Sequence, residues 1–281
     1  MKTGVIISAT ELKQILNSPN LVILDARTGK DARNSYLEQH IKGARFIDLD
    51  KDLAALGENA AFGGRHPLPS PGQFSETLSN LGIDENSQVV VYDTSSGANA
   101  AARAWWMLRS IGLEKVSVLD GGLKSAEKEH VEMSSEEESY DKKDFQIKTY
   151  WQFPLTTIDD VEEGLKNKTS TVIDVRDAYR YRGESEPIDL VAGHIPGADN
   201  VPFSENLDEN GNFLSSEKLN EKYSAFLNGK PNDLIIHCGS GVTACHTILA
   251  MAHAGFEVPK LYVGSWSEWS RRDKEIATET H

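Results

Sequence analysis

The chain has 281 residues, a formal net charge of −14 and 39% hydrophobic residues. This length suits one large or two ordinary domains, and the apolar content is enough for packed cores. The acidic balance argues against nucleic acid or an anionic membrane as a partner and fits a cytoplasmic protein.

Met1–Asn17 lacks the charged-then-apolar layout of a signal peptide, and no apolar run approaches the ~20 residues of a membrane span. Neither export nor a membrane is expected. Ser8-Ala9-Thr10-Glu11 reads instead as a capping box opening a helix at Leu12–Leu16. A buried strand, Leu21–Arg27, follows and ends in Asp25-Ala26-Arg27. Next come His40-Ile41-Lys42-Gly43-Ala44, the apolar strand Val89–Asp93, a helix at Ala100–Ile111 and a short strand at Val116–Leu119. The order then repeats. Thr156–Asp160 opens a second helix, and Thr171–Arg176 is a strand ending in Asp174-Val175-Arg176. His194-Ile195-Pro196-Gly197-Ala198, a strand at Leu234–Cys238, a helix at Thr243–Ala254 and a strand at Lys260–Val263 complete the copy.

Apolar strands alternating with helices predict an α/β fold with a parallel sheet in each half. We expect one domain over 1–123 and another over 145–281. The stretch 124–144, rich in Glu, Ser and Lys, reads as an acidic, solvated linker.

The duplication separates folding residues from functional ones. Asp25/Asp174, Arg27/Arg176 and His40/His194 occur in both halves, and are expected to be buried hydrogen-bonding residues. Cys238 occurs in one half, where the other has Asp93. One half therefore carries a nucleophile that the other lacks.

Cys238-Gly239-Ser240-Gly241-Val242-Thr243 joins a buried strand to a helix, the crevice position at which α/β proteins bind ligands. Two glycines let backbone N–H groups curl inward as an anion nest, and the next helix aims its dipole at the same place. A thiolate there should have a pKa below the free value of ~8.5. The alternative is a buried, inert cysteine. Cys245 lies further along the helix in an apolar stretch and reads as a core residue. Seven helical residues span ~10 Å, too far for a Cys238–Cys245 disulfide without backbone movement. His237 and His246 flank the two cysteines, but their spacing matches no usual zinc site, and no metal is expected. A cysteine-dependent phosphatase would need an arginine at position 244 to clamp the phosphate; Ala244 stands there.

These residues, with Ala101–Trp106, Asp120-Gly121-Gly122 and Gly264-Ser265-Trp266, resemble the tandem-domain rhodanese family from about Ser8 to about Arg271. That family includes thiosulfate and 3-mercaptopyruvate sulfurtransferases. The resemblance implies two rhodanese-like domains, an inactive one with Asp93 and a catalytic one in which Cys238 carries sulfur as a persulfide. Leu123 replaces the usual tryptophan after the first Gly-Gly.

The uncharged Gly239-Ser240 resembles the mercaptopyruvate type; thiosulfate enzymes place Arg-Lys there. The resemblance further implies a relay from Ser240 through His66 to Asp50, although His66 could equally be an exposed loop histidine. Arg180 matches the arginine that holds the donor's carboxylate, and Arg182 could substitute. The family's second arginine is replaced by Ile188. Loop amides of Gly239, Gly241, Val242 and Thr243 would hold the donor and the anionic sulfur. The expected partners are a small anionic sulfur donor and an acceptor: a thiol, a thioredoxin-like protein or cyanide. No cofactor is required. The other expectation is a sulfur-relay or binding module that serves a protein partner.

Overall fold

The computed structural model describes residues 4–98 and 100–279. The chain divides into two units. The first holds residues up to Ala54, then Pro69–Gln152 and Glu209–Phe213; the second holds Ala55–Leu68, Phe153–Asp208 and the chain from Leu214.

The first unit runs β1 (Ile6–Ile7), α1 (Ala9–Ile15), β2 (Leu21–Asp25), α2 (Ala32–Glu38), β3 (His40–Ile41), β4 (Ala44–Phe46), α3 (Pro71–Asn80), β5 (Gln88–Tyr92), α4 (Ala101–Ser110), β6 (Val116–Leu119), α5 (Gly122–Lys128) and β7 (Met133–Ser134). Five strands form a parallel sheet in the order β1-β6-β5-β2-β4. Val89, Val90 and Val91 of β5 are all fully buried, as a sheet covered on both faces requires. The expected capping box is present: Ser8 Oγ accepts the Glu11 N–H, and the Glu11 carboxylate accepts the Ser8 N–H. Because Ser8 is the cap, the helix begins at Ala9, ahead of the expected Leu12.

The second unit runs β8 (Leu155–Thr156), α6 (Ile158–Lys166), β9 (Ser170–Asp174), α7 (Ala178–Tyr181), β10 (Asp199–Asn200), α8 (Ser216–Leu227), β11 (Asp233–His237), α9 (Ala244–His253), β12 (Lys260–Tyr262) and α10 (Ser265–Trp269). Its parallel sheet has the order β10-β9-β11-β12-β8. Thus β8, β9, β10, β11 and β12 hold the places of β1, β2, β4, β5 and β6. Ile158, Val161, Val172, Ile235, Trp266 and Trp269 pack into its core.

The polar stretch expected as a linker belongs largely to the first unit. Lys124–Lys128 continue α5, and Met133–Ser134 pair antiparallel with His40–Ile41. The Glu138 carboxylate accepts the Gly43 N–H, and Phe145, 2% exposed, donates its N–H to Ser79 Oγ. A few apolar residues, Ala126, Val131 and Phe145, anchor the stretch, and polar side chains satisfy backbone groups between them. Such sparse anchors hardly alter the composition. The expected boundary after 144 therefore moves to Gln152, and Ala55–Leu68 passes to the second unit.

The residues shared by both halves are buried and hydrogen-bonded. Arg27 Nη2 reaches Asp25 Oδ2 at 2.6 Å and the Gln39 carbonyl at 2.8 Å. Arg176 Nη2 repeats this with Asp174 Oδ2 at 2.5 Å and the Gly193 carbonyl at 2.7 Å. Each pair ties the end of a central strand to the segment returning toward the sheet. His40 stacks on Tyr36, and His194 on Tyr181; each Nδ1 meets the carbonyl of the tyrosine it covers. Asp174→Ala would leave the buried Arg176 guanidinium without its main partner. We expect a loss of about 3–5 kcal/mol, measured as a lowered denaturation midpoint of the second unit; a loss below about 1 kcal/mol would show the pair to be dispensable.

Candidate active site

Cys238 sits at the carboxyl end of β11, 1% exposed. The loop 238–243 then enters α9, whose first turn carries the positive end of the helix dipole. Gly241 adopts φ +74°, and a methyl group on it would come within 2.6 Å of the Val263 carbonyl oxygen. The sharp turn therefore requires glycine.

The turn after β12 holds the cysteine from the other side. Ser265 Oγ accepts the Cys238 N–H at 3.2 Å and donates to the Tyr262 carbonyl at 2.8 Å. The N–H groups of Trp266 and Ser267 donate to the carbonyls of Cys238 and Gly239. Ser265 has φ +53°, in the left-handed region that a side chain seldom occupies. The matching position in the first unit is a glycine, Gly122, at φ +56°. The strain at Ser265 is offset by a hydroxyl that fixes the Cys238 backbone.

The Ala55–Leu68 segment supplies further side chains. Gly63 and Gly64, both at positive φ, lie against the turn after β12. The Gly63 N–H donates to Glu268 and the Arg65 N–H to Ser267 Oγ. This seating carries His66 to the cysteine loop, where its Nδ1 lies 2.8 Å from Ser240 Oγ. His66 is half-buried rather than an exposed loop histidine. Asp50, the expected acidic member of the relay, belongs to the first unit; it is exposed, and its N–H donates to Asp48.

Arg180 is 8% exposed at the end of α7. Its Nε and Nη2 engage Glu186 at 2.7–3.1 Å, and Nη2 lies 3.5 Å from Asp189. Burial would lower the Arg180 pKa, but the hydrogen bond to Glu186 and the negative charges of Glu186, Asp189 and the Cys238 sulfur outweigh it and raise it. Arg182 pairs instead with Glu184, and Ile188 is 55% exposed. Val242 is buried and Thr243 half-buried at the entrance to α9. Cys245 is fully buried, with its Sγ 3.4 Å from the Gly241 carbonyl, and the two cysteines are not joined in a disulfide. His237 is fully buried, and burial holds its imidazole pKa below the ordinary value against the opposing charge of Asp174. Among the described residues, no cluster of three or more His, Cys, Asp or Glu side chains could hold a metal ion. Among the described residues, no helix is long and apolar enough to cross a membrane.

The first unit shows what the same loop does with a carboxyl group. Asp93 Oδ1 accepts the N–H groups of Ser95 and Gly97 at 2.8 and 2.9 Å, and Oδ2 accepts that of Ala101 at 3.2 Å. The carboxylate thus sits in a nest of loop and helix N–H groups, at the position that Cys238 holds in the second unit.

A model of the rhodanese-like domain matches residues 8–129 and 157–272. The chain belongs to the rhodanese family of sulfurtransferases. A Pseudomonas aeruginosa protein named "Probable 3-mercaptopyruvate sulfurtransferase" is 42% identical, over 96% of each chain. The human 3-mercaptopyruvate sulfurtransferase is 34% identical, over 95% of this chain and 92% of its own. The crystal structure of SseA from Escherichia coli, described as a 3-mercaptopyruvate sulfotransferase, superposes with a TM-score of 0.75 at 31% identity. That match covers 95% of this chain and 100% of SseA.

Several residues around the rhodanese loop have no clear sequence signal. Asp189 is fully buried at its side chain and receives Arg65, Arg180 and Arg271. Glu186 bridges Arg176 and Arg180. The Glu186-Pro187 pair and the first-half/second-half asymmetry point to this segment, but nothing in the spacing pairs it with Arg65 or Arg271.

Two outcomes follow from this geometry. Gly241→Ala must move the Val263 carbonyl or unwind the loop, and should cost about 1–3 kcal/mol along with most of the Cys238 reactivity, assayed by thiol alkylation. An unperturbed alkylation rate would mean that the loop shape is not limiting. For Glu186, burial would raise the pKa, but the Arg180 hydrogen bond and two backbone N–H groups hold it below its ordinary 4.5. Its contribution to stability is thus complete above about pH 4.5 and lost as pH falls through the depressed value. Glu186→Gln should flatten the acid limb of a denaturation-midpoint profile; an unchanged acid limb would place the acid lability elsewhere.

Proposed function

We propose that this rhodanese moves sulfane sulfur from 3-mercaptopyruvate to an acceptor through a persulfide on Cys238. The acceptor is a thiol, a reduced thioredoxin-like protein or cyanide. The observation that carries this reading is the 2.8 Å approach of His66 Nδ1 to Ser240 Oγ. It stands beside a nucleophile loop with no charged side chain of its own. A sulfonate dianion would favour cations in the loop, whereas a keto acid needs proton management at its carbonyl.

In the first half-reaction the Cys238 thiolate attacks the donor's sulfur. The new S–S bond forms as the donor's C–S bond breaks, and the carbon fragment leaves as pyruvate enolate. That carbanion takes up a proton, and the thiol proton of the donor is released, so the net products are pyruvate and Cys238–S–S⁻. Ser240 and His66 are proposed to carry the proton. Asp50 is proposed as the relay's acidic member. In the second half-reaction the acceptor attacks the outer sulfur and the Cys238 thiolate leaves. Loop amides of Gly239, Gly241, Val242 and Thr243 are proposed to stabilise the anionic sulfur throughout, as the Asp93 nest does its carboxylate. Arg180 is proposed to bind the donor's carboxylate.

The test is the mass of the intact chain after mixing with 3-mercaptopyruvate and, separately, with thiosulfate. We expect a gain of one sulfur, ~32 Da, faster from 3-mercaptopyruvate, removed by cyanide and absent in Cys238→Ser but retained in Cys245→Ala. A faster gain from thiosulfate would reassign the donor. No gain from either would replace catalysis on small donors with a relay or binding role toward a protein partner.

A further inference from the structure

Ile188, directly after Glu186-Pro187, is exposed and uncharged. The structure nonetheless brings a second guanidinium to the cysteine loop from another part of the chain. A methyl group built on Gly239 would lie 3.2 Å from Arg65 Nη2, 3.5 Å from Arg180 Nη2 and 3.5 Å from Asp189 Oδ2. Two guanidinium tips therefore converge on the residue directly after the nucleophile.

We propose that Arg65 and Arg180 form a two-arginine cradle at Gly239 that takes the carboxylate of the sulfur donor, and that Asp189 is the residue that positions them. The proposal deepens the sulfur-transfer reading and rests on it for the nature of the ligand.

Three observations support the cradle. First, Arg65 is held in place at both ends. Its N–H donates to Ser267 Oγ at 3.0 Å, and its Nε donates to Asp189 Oδ1 at 3.0 Å. A side chain tied down in this way loses little freedom when it binds a ligand. Second, the ion pairs of Arg65 and Arg180 run through Nε and Nη2, and each five-donor fork has further N–H groups to offer. Third, the connected network is unbalanced. Guanidiniums of Arg65, Arg176, Arg180 and Arg271 share the carboxylates of Asp174, Glu186 and Asp189. Four guanidiniums against three carboxylates leave one net positive charge spread over the network, which faces the Cys238 sulfur.

Asp189 serves as the pivot. Its side chain is fully buried and receives Arg65 and Arg271 on Oδ1 and Arg180 on Oδ2. Arg271 also donates to the Ser267 carbonyl at 2.8 Å, which anchors the pivot to the turn that grips the cysteine loop. The cradle and the nucleophile are thus built on one frame.

The test compares alkylation of Cys238 by iodoacetate, which carries a carboxylate, and by iodoacetamide, its neutral counterpart. The full-length chain is used, with the rates read by mass on the Cys238 peptide. Both reagents consume the same thiolate, so their rate ratio cancels any change in thiolate fraction. Arg65→Gln should lower the iodoacetate-to-iodoacetamide ratio by about tenfold, the worth of a charge-assisted bond, with Arg65→Lys intermediate. An unchanged ratio in Arg65→Gln would falsify the cradle. Asp189→Asn separates positioning from charge. A purely electrostatic Asp189 would raise the ratio when its negative charge is removed, whereas a positioning residue lowers it; a rise overturns the positioning role. Steady-state kinetics with 3-mercaptopyruvate should show KM raised in Arg65→Gln by a similar factor, with kcat within about twofold of the parent. If the parent forms no persulfide from 3-mercaptopyruvate while the alkylation ratio still falls in Arg65→Gln, the donor assignment fails and the cradle stands. If persulfide forms normally and the ratio does not move, the cradle alone fails.

Discussion

An acidic chain of net charge −14 repels small anions on average, so a site that handles them needs positive charge gathered locally. Clustering guanidiniums without counter-charge inside a fold is costly, because buried like charges repel and lose water. The arrangement around Asp189 and Glu186 meets both conditions. Each of these carboxylates binds more than one arginine, so the cations lie close together with much of their charge compensated. The placement of Arg180, Arg65 and the turn after β12 all depends on this pairing.

Cys238 is held by backbone geometry more than by side chains. β11 delivers Cys238 to the edge of the crevice, Gly241 allows the chain to curl into α9, and the turn after β12 bonds to the N–H and carbonyl of Cys238. Ser265 keeps a left-handed conformation that glycine would adopt more easily. The hydroxyl gained in exchange fixes the backbone nitrogen of Cys238. The strained residue is thus one hydrogen bond away from Cys238, where it restricts that backbone without covering the thiol.

Much of the fold was legible in the sequence because period and duplication reinforce each other. The runs at Val89–Val91 and Ile235–Ile236 mark buried parallel strands, and each has a counterpart in the other half. The capping boxes at Ser8 and Thr157 mark helix starts by side-chain chemistry alone. The Cys238 loop was legible for the same reason, since Asp93 occupies the equivalent place in a matched copy. The ion-pair network was not. Arg65 and Asp189 are 124 positions apart in the chain, and no local pattern encodes their meeting. The stretch 124–144 was read as solvent-exposed because it is mostly charged, yet Ala126, Val131, the adjoining Phe145 and a handful of backbone bonds suffice to hold it. Composition averages over a segment, whereas docking depends on a few of its residues.

Asp93 has a consequence for how such a molecule can change over evolutionary time. A loop shaped around an anion is left with unsatisfied N–H groups when its nucleophile is replaced by a neutral residue, and the fold then suffers. A carboxylate at that position satisfies the donors permanently, as the bonds to Ser95, Gly97 and Ala101 show. After a duplication, one copy can therefore abandon chemistry through a single substitution without forfeiting its architecture. The silent copy is then free to drift toward other work, such as scaffolding or recognition, while its twin remains under selection for reactivity.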